Sequence, residues 1–425
     1  MKYLFVSPEA LSLDLAYAIQ REETNEVKFF INSPTEKDVG DGFVEKVDSW
    51  EDKLDWADII VFDDIGFGKI ADKLRTEGKR VVGGSTYTDR LENDRDFGHS
   101  ELAKAGVSVL PSWRFSDFEE AIRFVQSNPS RYVIKPSGKA QNEKELLFVG
   151  QESDGNDVIN VLAHYKRNWS NKIRVFQIQQ YSAGVEVAVG AFFNGKEFIQ
   201  PVNINFEHKR LFPGNIGPST GEMGTLMFWS NRSRLFELTL EKMKQALAGA
   251  NYVGYIDINC IANGNGIYPL EFTSRFGYPT ISIQMEGIKT KWGQFLYSIA
   301  NGEVAELDAK KGFQIGVVIA VPPFPFNDER TFRKFSEDAT ILFNEQRNFD
   351  GVHLGEVKLE GNDWRIAGRS GYSLVVTGSG NTTEEAREQA YERVANIMIP
   401  NMFYRTDIGS RWIKDSDLLL SYGYL

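Results

Sequence analysis

The chain has 425 residues and a formal net charge of −11. This acidic balance disfavours a protein that binds the phosphate backbone of nucleic acids. The single cysteine, Cys260, excludes an internal disulfide framework and a zinc site built on cysteines. No apolar stretch is long enough for a transmembrane helix, and the first residues lack a signal-peptide pattern, so we expect a cytoplasmic protein without a membrane segment.

Short apolar strands alternate with helices over roughly residues 1–85. The strands are expected at 3–6, 27–31 and 59–62, and the helices at 11–21 and 68–78. This alternation predicts a parallel sheet, whose ligand binds at the carboxyl ends of the strands. Those ends, 7–10 and 63–65, lack the full glycine fingerprint, so a nicotinamide dinucleotide site is disfavoured.

A lysine-bearing loop follows a later strand. After a predicted helix over 93–105 and a strand–helix step over 107–126, residues 131–135 form a strand that ends in Lys135. The next loop carries Lys139. Loop amides and lysines are groups that bind a triphosphate. An edge strand with a solvated lysine is the alternative.

An acidic residue lies in the next predicted pair of strands. Residues 176–193 are expected to form a hairpin-like unit, in which Glu186 points to the face opposite to Val185 and Val187. A glutamate in this position can accept hydrogen bonds from ribose hydroxyls, or it can face solvent.

A glycine-rich loop follows three residues that can carry positive charge. His208, Lys209 and Arg210 precede residues 211–224, which contain four glycines and two prolines. This composition disfavours the interior of a helix or strand and allows backbone amides to approach an anion. A flexible surface loop is the alternative, but the adjacent basic residues favour an anion site.

The central pattern is a hairpin over residues 252–279. Asp257 and Glu271 are equally far from Gly264 in the turn, so we expect them to face one another, with Thr273 on the face of Glu271. Two carboxylates and a hydroxyl suit Mg²⁺, which prefers oxygen ligands. A solvated hairpin face is the alternative. Arg275, followed by a turn with Gly277 and Pro279, favours a phosphate beside the metal.

The fold class expected from these elements is α/β, with α+β parts. Helices are predicted over 232–250, 291–302 and 382–397, and short strands dominate after residue 313. We expect a Rossmann-like N-terminal domain over 1–88, a central region over 89–310 with a small lobe at about 108–180, and a mostly β C-terminal domain with a helix over 311–425.

The order of these motifs resembles the glycinamide ribonucleotide synthetases, which are ATP-grasp ligases. The family's HKR…GPNTGGMG matches His208–Arg210 and 217–224, and its EFNxRFGDP matches 271–279. Further matches are His353 with Gly355 and the segments 368–369, 385–391 and 404–409, which lie in the expected C-terminal domain. The resemblance covers roughly residues 85–412 and is weak before them.

The resemblance implies two ATP-grasp lobes that clamp ATP, and ADP-forming ligation of glycine to phosphoribosylamine in purine biosynthesis. It implies roles for the following residues: Arg275 and Lys209 in catalysis; Lys135, Lys139, Gln180, Glu186 and Lys209 in ATP binding; Ser219, Thr220, Gly221, Met223, Gly277, Pro279 and Arg369 in substrate binding; and Glu271, Asp257 and Thr273 as ligands of Mg²⁺, with Mn²⁺ as a possible substitute. We expect small-molecule substrates, no nucleic acid, no membrane, and a monomer or homodimer.

Departures from the family pattern leave alternatives open. Thr273 replaces the family's asparagine, whereas Asp257 stands where the family usually has a non-acidic residue. Glu9, Asp63 and Asp64 occupy loops that are glycine-rich or otherwise different in the family, and carboxylates repel a phosphate. A different amine acceptor and a nucleotide-binding relative without turnover are therefore alternative hypotheses. In the other interpretation, these acids point to solvent, and Arg369 and the C-terminal domain hold the phosphate of the family's own acceptor.

Overall fold

A computed structural model describes residues 1–137, 146–344 and 349–425. The chain begins with a parallel sheet in the order β2-β1-β3-β4, as the sequence predicts. Its elements are β1 (Lys2–Ser7), α1 (Leu13–Arg21), β2 (Glu26–Ile31), β3 (Ile59–Phe62), α2 (Gly68–Thr76) and β4 (Val81–Val82), with a 3-10 turn at Glu51–Lys53. Because β2 and β3 flank β1 on opposite sides, a crevice lies at the carboxyl ends of β1 and β3.

Two capped helices lead from this sheet to the rest of the molecule. They are α3 (Thr86–Asn93) and α4 (Arg95–Lys104). The Ser85 hydroxyl accepts a hydrogen bond from the Thr88 amide, and the Asp94 carboxylate accepts one from Phe97, so each helix has a side-chain N-cap. The single helix predicted over 93–105 is thus the second of two helices separated by Asp94.

A small lobe follows, with its own hydrophobic core. It contains β5 (Ser112–Phe115), α5 (Phe118–Ser127), β6 (Tyr132–Pro136), β7 (Phe148–Val149), α6 (Asn156–Asn168) and β8 (Phe176–Gln180). Among the described residues the strands pair antiparallel in the order β5-β8-β6-β7, and α5 and α6 pack on one face. The interior of this lobe is lined by stacked aromatic rings, among them Phe118 on Phe176.

A large antiparallel sheet forms the other lobe and continues into the C-terminal region. Before residue 310 the elements are β9 (Val185–Asn194), β10 (Val202–Glu207), β11 (Arg210–Phe212), β12 (Ile216–Ser219), β13 (Gly224–Ser230), α7 (Arg234–Leu238), α8 (Lys244–Gly249), β14 (Val253–Asn263), β15 (Gly266–Thr273), α9 (Thr280–Gly287) and α10 (Trp292–Ala300). After it they are β16 (Phe313–Ala320), α11 (Glu329–Phe335), β17 (Leu342–Phe343), β18 (Val352–Leu354), β19 (Val357–Glu360), β20 (Asp363–Ile366), β21 (Tyr372–Gly380), α12 (Thr383–Ala395), β22 (Ile397–Met398) and α13 (Trp412–Ser421).

The described strands of the large sheet run in the order β15-β14-β9-β10-β13-β16-β21-β18. Strands β13 and β16, which lie on opposite sides of the predicted boundary at residue 310, are hydrogen-bonded neighbours. The sheet is therefore continuous across this point, and the domain boundaries stay predictions. In the described part of the chain, no helix has the length and apolar character needed to cross a membrane.

Two predicted elements were wrong in detail. The hairpin expected over 176–193 is not a hairpin, because β8 pairs within the small lobe and β9 within the large sheet. Residues 181–184 instead connect the two lobes. The helix expected over 232–250 is broken into α7, a 3-10 turn at Leu240–Met243, and α8. The Thr239 hydroxyl donates to the Leu235 carbonyl at the break, a bond that bends helices.

Candidate active site

A cavity of about 760 Å³ lies between the small-lobe sheet and the large sheet. Most of the side chains singled out from the sequence line it, although they are spread over 143 positions of the chain from Lys135 to Gly277. They are Lys135, Gln180, Glu186, Lys209, Ser219, Thr220, Gly221, Asp257, Glu271, Thr273, Arg275 and Gly277. The fold thus brings predicted phosphate-binding, substrate-binding and metal-binding residues to one place.

Four predicted residues are not among the described residues that line the cavity. Met223 is fully buried in the core. Pro279 caps the beginning of α9. Arg369 forms an ion pair with Glu329 at 2.9 Å, outside the cavity. Lys139 lies outside the described residues. The roles proposed for these four residues therefore remain predictions.

The register of the central hairpin differs from the predicted one. Asn263 pairs with Gly266 across a two-residue turn, and a bulge lies between Asn259 and Cys260. As a result, Glu271 faces Asn259, and Asp257 faces Thr273. The expectation that Asp257 and Glu271 face one another directly was therefore wrong, because the turn is centred between Gly264 and Asn265 rather than on Gly264, and the bulge shifts the register by one further residue.

Asn259 is a cavity residue that the sequence analysis missed. It lies two positions after Asp257 on the same strand, so both side chains point to the same face of the sheet. The Asn259 Nδ2 donates to Glu207 Oε2 at 3.0 Å, while its Oδ1 is buried without a hydrogen-bond partner in the described part of the chain. The alternation of Asp257 and Asn259 was the signal that could have identified it.

Lys209 is surrounded by carboxylates. Its Nζ lies 3.1 Å from Glu186, 3.2 Å from Glu207 and 3.6 Å from Glu271. Burial alone would lower the pKa of Lys209, but these three acids raise it well above its ordinary value. The ammonium is therefore charged. Glu207 had not been singled out from the sequence, although it directly precedes the basic triplet.

The carboxylate of Glu271 lies between two cations. Arg95, at the beginning of α4, donates to Glu271 Oε2 at 3.1 Å, and Lys209 approaches Oε1. Burial alone would raise the pKa of Glu271, but Lys209, Arg95 and Lys135 lower it below its usual range. Arg95 also donates to the Pro136 carbonyl at 3.2 Å, which connects α4 to the end of β6.

The pKa of Lys135 is lowered towards neutral pH. Burial and the nearby Arg95 lower its pKa to about 7, although Glu271 and Glu186 act in the opposite direction. A lysine in this environment gains a proton when additional negative charge approaches. The phosphates of a nucleotide would supply such charge, so the site is suited to an anionic ligand.

Arg275 faces the N-terminal crevice as well as the cavity. Its Nε lies 2.9 Å from Asp64, which follows β3, and 3.2 Å from Glu92 on α3. Burial would lower the pKa of Arg275, but Glu92 and Asp64 raise it. The guanidinium is therefore oriented by two acids from separate elements. Asp64 accordingly does not point freely to solvent, which was one alternative for this residue.

Asp63 is directed into the protein. It is fully buried and accepts hydrogen bonds from the Ser12 hydroxyl at 2.5 Å and the Ser12 amide at 3.3 Å, where α1 begins. Burial raises the pKa of Asp63 to about 7. The carboxyl group thus occupies the amino end of α1, a position that favours anions. The Tyr278 hydroxyl donates to the Asp63 carbonyl at 3.1 Å and connects this crevice to the cavity.

The glycine-rich segment after Lys209 forms a hairpin, which we call the flap (residues 210–219). Strands β11 and β12 pair antiparallel, and Gly214 and Asn215 take positive φ values at the turn between them. The expectation that this segment could not contain strands was wrong, because its left-handed conformations lie mainly at the turn. The Thr220 amide and hydroxyl both donate to the Lys209 carbonyl, at 2.7 and 2.9 Å.

A buried ion pair from the C-terminal region anchors the flap. The fully buried Arg405 donates to the Arg210 carbonyl at 2.8 Å and to Asn215 Oδ1 at 3.0 Å. It also forms a bidentate pair with Asp407, which accepts a hydrogen bond from the Gly214 amide at 2.9 Å. Individual sequence motifs gave no signal for this contact, which joins residues about 200 positions apart.

Part of the cavity lining is apolar and comes from both lobes, and we call this part the apolar slot. Val133, Leu147 and Val149 form its small-lobe wall, and Ile261 and Leu270 form the opposite wall. Gln180 at the end of β8, and residues 181, 182 and 184 of the connection between the lobes, also line the cavity. Apolar side chains in the same cavity as Lys135 and Lys209 suit a ligand that combines a flat heteroaromatic ring with negatively charged groups.

Comparison with known proteins adds independent information. The family model for the ATP-grasp (A) domain of phosphoribosylglycinamide synthetase matches residues 93–281, and the model for the C domain matches residues 314–411. Together they match about two thirds of the chain. The chain belongs to the phosphoribosylglycinamide synthetase family. The family predicted from the motif order is thereby confirmed.

Individual proteins of this family match the chain over most of its length. A phosphoribosylamine–glycine ligase of Streptococcus pneumoniae is 27% identical over 363 residues, covering 83% of both chains. One from Listeria monocytogenes is 24% identical over 358 residues, covering 80% of this chain and 81% of its own. A crystal structure of phosphoribosylamine–glycine ligase from Thermotoga maritima has a TM-score of 0.72 at 21% identity and covers 96% of this chain and all of its own.

The same fold occurs in proteins with other names. A biotin carboxylase from Campylobacter jejuni matches with a TM-score of 0.63 at 13% identity, over 99% of this chain and 98% of its own. Together with the Thermotoga match, this likeness confirms the predicted α/β fold with ATP-grasp lobes. At such low identity the structural likeness concerns the fold alone, so residue roles must come from the cavity itself.

Proposed function

We propose that this synthetase-family chain joins glycine to phosphoribosylamine, with conversion of ATP to ADP and phosphate. The glycine carboxylate attacks the terminal phosphoryl group of ATP and becomes an acyl phosphate. The amine then attacks the acyl carbon, forms the amide bond and releases phosphate. The observation that carries this proposal is the convergence of Lys135, Lys209, Glu271 and Arg275 on one cavity beside an apolar slot, in a chain of this family.

The residues of the cavity have separate tasks in this proposal. The apolar slot holds the adenine ring, and Glu186 accepts hydrogen bonds from the ribose. Lys135 and Lys209 neutralise the phosphates, and Arg275 stabilises the charge on the phosphoryl group in transfer. Phosphoryl transfer depends mainly on positioning and on charge neutralisation, so no nucleophilic serine, cysteine or histidine is required. The flap, with Ser219, Thr220 and Gly221, covers the carboxylate substrate.

The donor set of the cavity fits a divalent cation such as Mg²⁺. Glu271 would bind it together with Asn259, whose buried Oδ1 has no hydrogen-bond partner within residues 1–137, 146–344 and 349–425, and Thr273 lies on the same face. Asp257 fits less well, because burial and then Glu207 raise its pKa far above the ordinary value and favour its neutral form. When bound, the cation supplies charge neutralisation and orientation of the phosphates.

The test is ADP release with purified protein, ATP, Mg²⁺, glycine and freshly generated phosphoribosylamine. Omission of either glycine or the amine should reduce the rate to background. A panel of other carboxylates and amines serves as the control for specificity. Comparable ADP release without glycine, or with water as the only acceptor, would contradict the proposed ligase reaction.

A second candidate is the same ligation with a different amine acceptor. The observation that favours it is Asp63, whose buried carboxyl group occupies the amino end of α1 at the crevice of the N-terminal sheet. A phosphate could not take this position without displacing Asp63. ADP release that depends on glycine but occurs only with amines lacking a phosphate would support this candidate. Oligomeric state and cytoplasmic location stay predictions.

A further inference from the structure

Lys209 lies among the oxygen atoms that fit a divalent cation. Its Nζ is 3.2 Å from Glu207 Oε2 and 3.6 Å from Glu271 Oε1. Glu207 Oε2 also accepts the hydrogen bond from Asn259 Nδ2, so Lys209, Glu207 and Asn259 form one connected group. A cation bound by Glu271 and Asn259 would therefore lie close to the Lys209 ammonium.

The contacts of Glu271 indicate that Lys209 and a divalent cation would compete for the same carboxylate. One carboxylate oxygen is within ion-pair distance of Lys209 and the other is bonded to Arg95 at 3.1 Å. A divalent ion that takes either oxygen meets a positive charge already in place. Two like charges a few ångströms apart repel strongly in a partly buried site. Lys209 must move before the metal binds well.

Asn259 provides independent evidence that Lys209 does not satisfy all the oxygen atoms of this group. Its side chain is buried, and its Oδ1 has no hydrogen-bond partner among the described residues. A buried carbonyl oxygen without a partner is unfavourable, and a cation would satisfy it. The lysine satisfies the carboxylates but leaves this oxygen unpaired.

We propose that Lys209 excludes a divalent cation from Glu207, Glu271 and Asn259 until a nucleotide is bound, so that metal and nucleotide enter together. The phosphates of the nucleotide compete with the carboxylates for the Lys209 ammonium, which sits on a flexible four-carbon chain. Once Lys209 turns to the phosphates, Glu207 and the Oε1 atom of Glu271 are free to bind the metal, while Arg95 keeps its bond to Oε2. The inference rests on the proposed function only in its assumption that the cavity binds a nucleotide with a metal. The proposal also assigns Glu207 to the metal site.

The test is Mn²⁺ binding to the nucleotide-free protein, measured by electron paramagnetic resonance. Lys209→Met and Lys209→Gln should each gain one Mn²⁺ site at least tenfold tighter than any site of the wild type. Adding Glu207→Gln to Lys209→Met should abolish the gain. Lys166→Met is the matched control, because Lys166 pairs with Glu119 on the surface of the small lobe, outside the cavity, and its loss should leave Mn²⁺ binding unchanged.

The wild type gives a readout that does not depend on the folding of any variant. Its Mn²⁺ affinity should rise at least tenfold when a non-hydrolysable ATP analogue is present, beyond the binding of Mn²⁺ by the analogue alone. Tight Mn²⁺ binding to the nucleotide-free wild type, or Lys209 variants that bind Mn²⁺ no better than the wild type, would overturn the proposal.

The outcome is separable from that of the ligase assay. Mn²⁺ binding needs neither glycine nor an amine, so a gain in the Lys209 variants supports the inference even if the wild type releases no ADP with those substrates. Conversely, a wild type that shows glycine-dependent and amine-dependent turnover, with Lys209 variants that gain no Mn²⁺ site, would leave the proposed function standing and reject the role of Lys209.

Discussion

Glu271 and Asp63 are both acids close to the predicted substrates, but their surroundings are opposite. Glu271 lies within ion-pair distance of Arg95 and Lys209, and these cations, with Lys135, overcome the effect of burial and lower its pKa. Asp63 is bonded to Ser12, and burial raises its pKa to about 7. The difference shows that neighbouring cations, rather than residue type, decide which buried carboxyl group has a lowered pKa and which has a raised one.

The largest effect is expected at the charged acid. Glu271→Gln removes a full negative charge from the proposed cation site, so ADP formation should fall by at least about a hundredfold, the scale of lost charge stabilisation in other active sites. Glu119→Gln is the matched control, because Glu119 forms an exposed ion pair with Lys166 outside the cavity. Near-normal steady-state turnover of Glu271→Gln would exclude its proposed role.

A third acid, Asp407, sharpens the comparison because it is paired but lies outside the cavity. Asp407→Asn weakens the pair with Arg405 that anchors the flap, so the KM for glycine should rise by about tenfold while kcat changes little. Asn215→Ala, which removes only one flap contact of Arg405, should act in the same direction by a smaller factor. A drop in kcat with unchanged KM would place Asp407 in the chemical step instead.

Asp63, whose pKa is raised, should affect stability rather than the chemical step. Because the pKa of Asp63 in the folded protein is about 7, above its ordinary value of 3.8, the folded state binds the proton more tightly. The contribution of Asp63 to stability is therefore present below about pH 4 and is lost as pH rises towards 7. Asp63→Asn should remove this loss. The free energy of unfolding of the variant minus that of the wild type should therefore be about 1–3 kcal/mol larger at pH 7.5 than at pH 5.

Urea unfolding of both proteins at the two pH values measures this difference. Subtracting the wild-type free energy of unfolding from that of the variant removes the effects of the other titrating groups, because both proteins share them. An equal pH dependence in the wild type and the variant would mean that Asp63 is ionised in the folded protein, and the contrast with Glu271 would be lost.

The smallest effect concerns the flap. Arg405 and Asp407 hold the flap at residues 210, 214 and 215. Bound ligands should therefore change the rate of protease cleavage within it only severalfold. Protease nicking between Lys209 and Gly224 should slow when ATP and glycine are added together, and less with either alone. Nicking that is unaffected by both ligands would show that the flap does not cover the substrate.

The sequence was sufficient for the fold class and for most of the predicted residues that line the cavity. Strand–helix alternation predicted the N-terminal sheet, and the motif order predicted the family, which the two family models confirm. The side chains of Lys135, Glu186 and Glu271 were singled out from strand positions alone, and the structure brings them to one cavity. The roles assigned to them remain proposals.

The sequence was insufficient where geometry depends on a single irregularity or on distant partners. The turn lies one half-step beyond Gly264 and a bulge follows between Asn259 and Cys260, so the partner of Glu271 is Asn259 rather than Asp257. Arg95 pairs with Glu271 across 176 positions, and Arg405 meets Asn215 across 190. Contacts of this kind arise from packing between elements, which local patterns do not encode.

The central claim is that a carboxylate is phosphorylated before the amine attacks. Glycine labelled with ¹⁸O in its carboxylate, incubated with the protein, ATP, Mg²⁺ and phosphoribosylamine, tests it most directly. One ¹⁸O atom should appear in each phosphate released, because the carboxylate oxygen that attacks the phosphoryl group leaves with it. Release of unlabelled phosphate at the same rate as ADP would contradict the account, since water would then be the acceptor of the phosphoryl group.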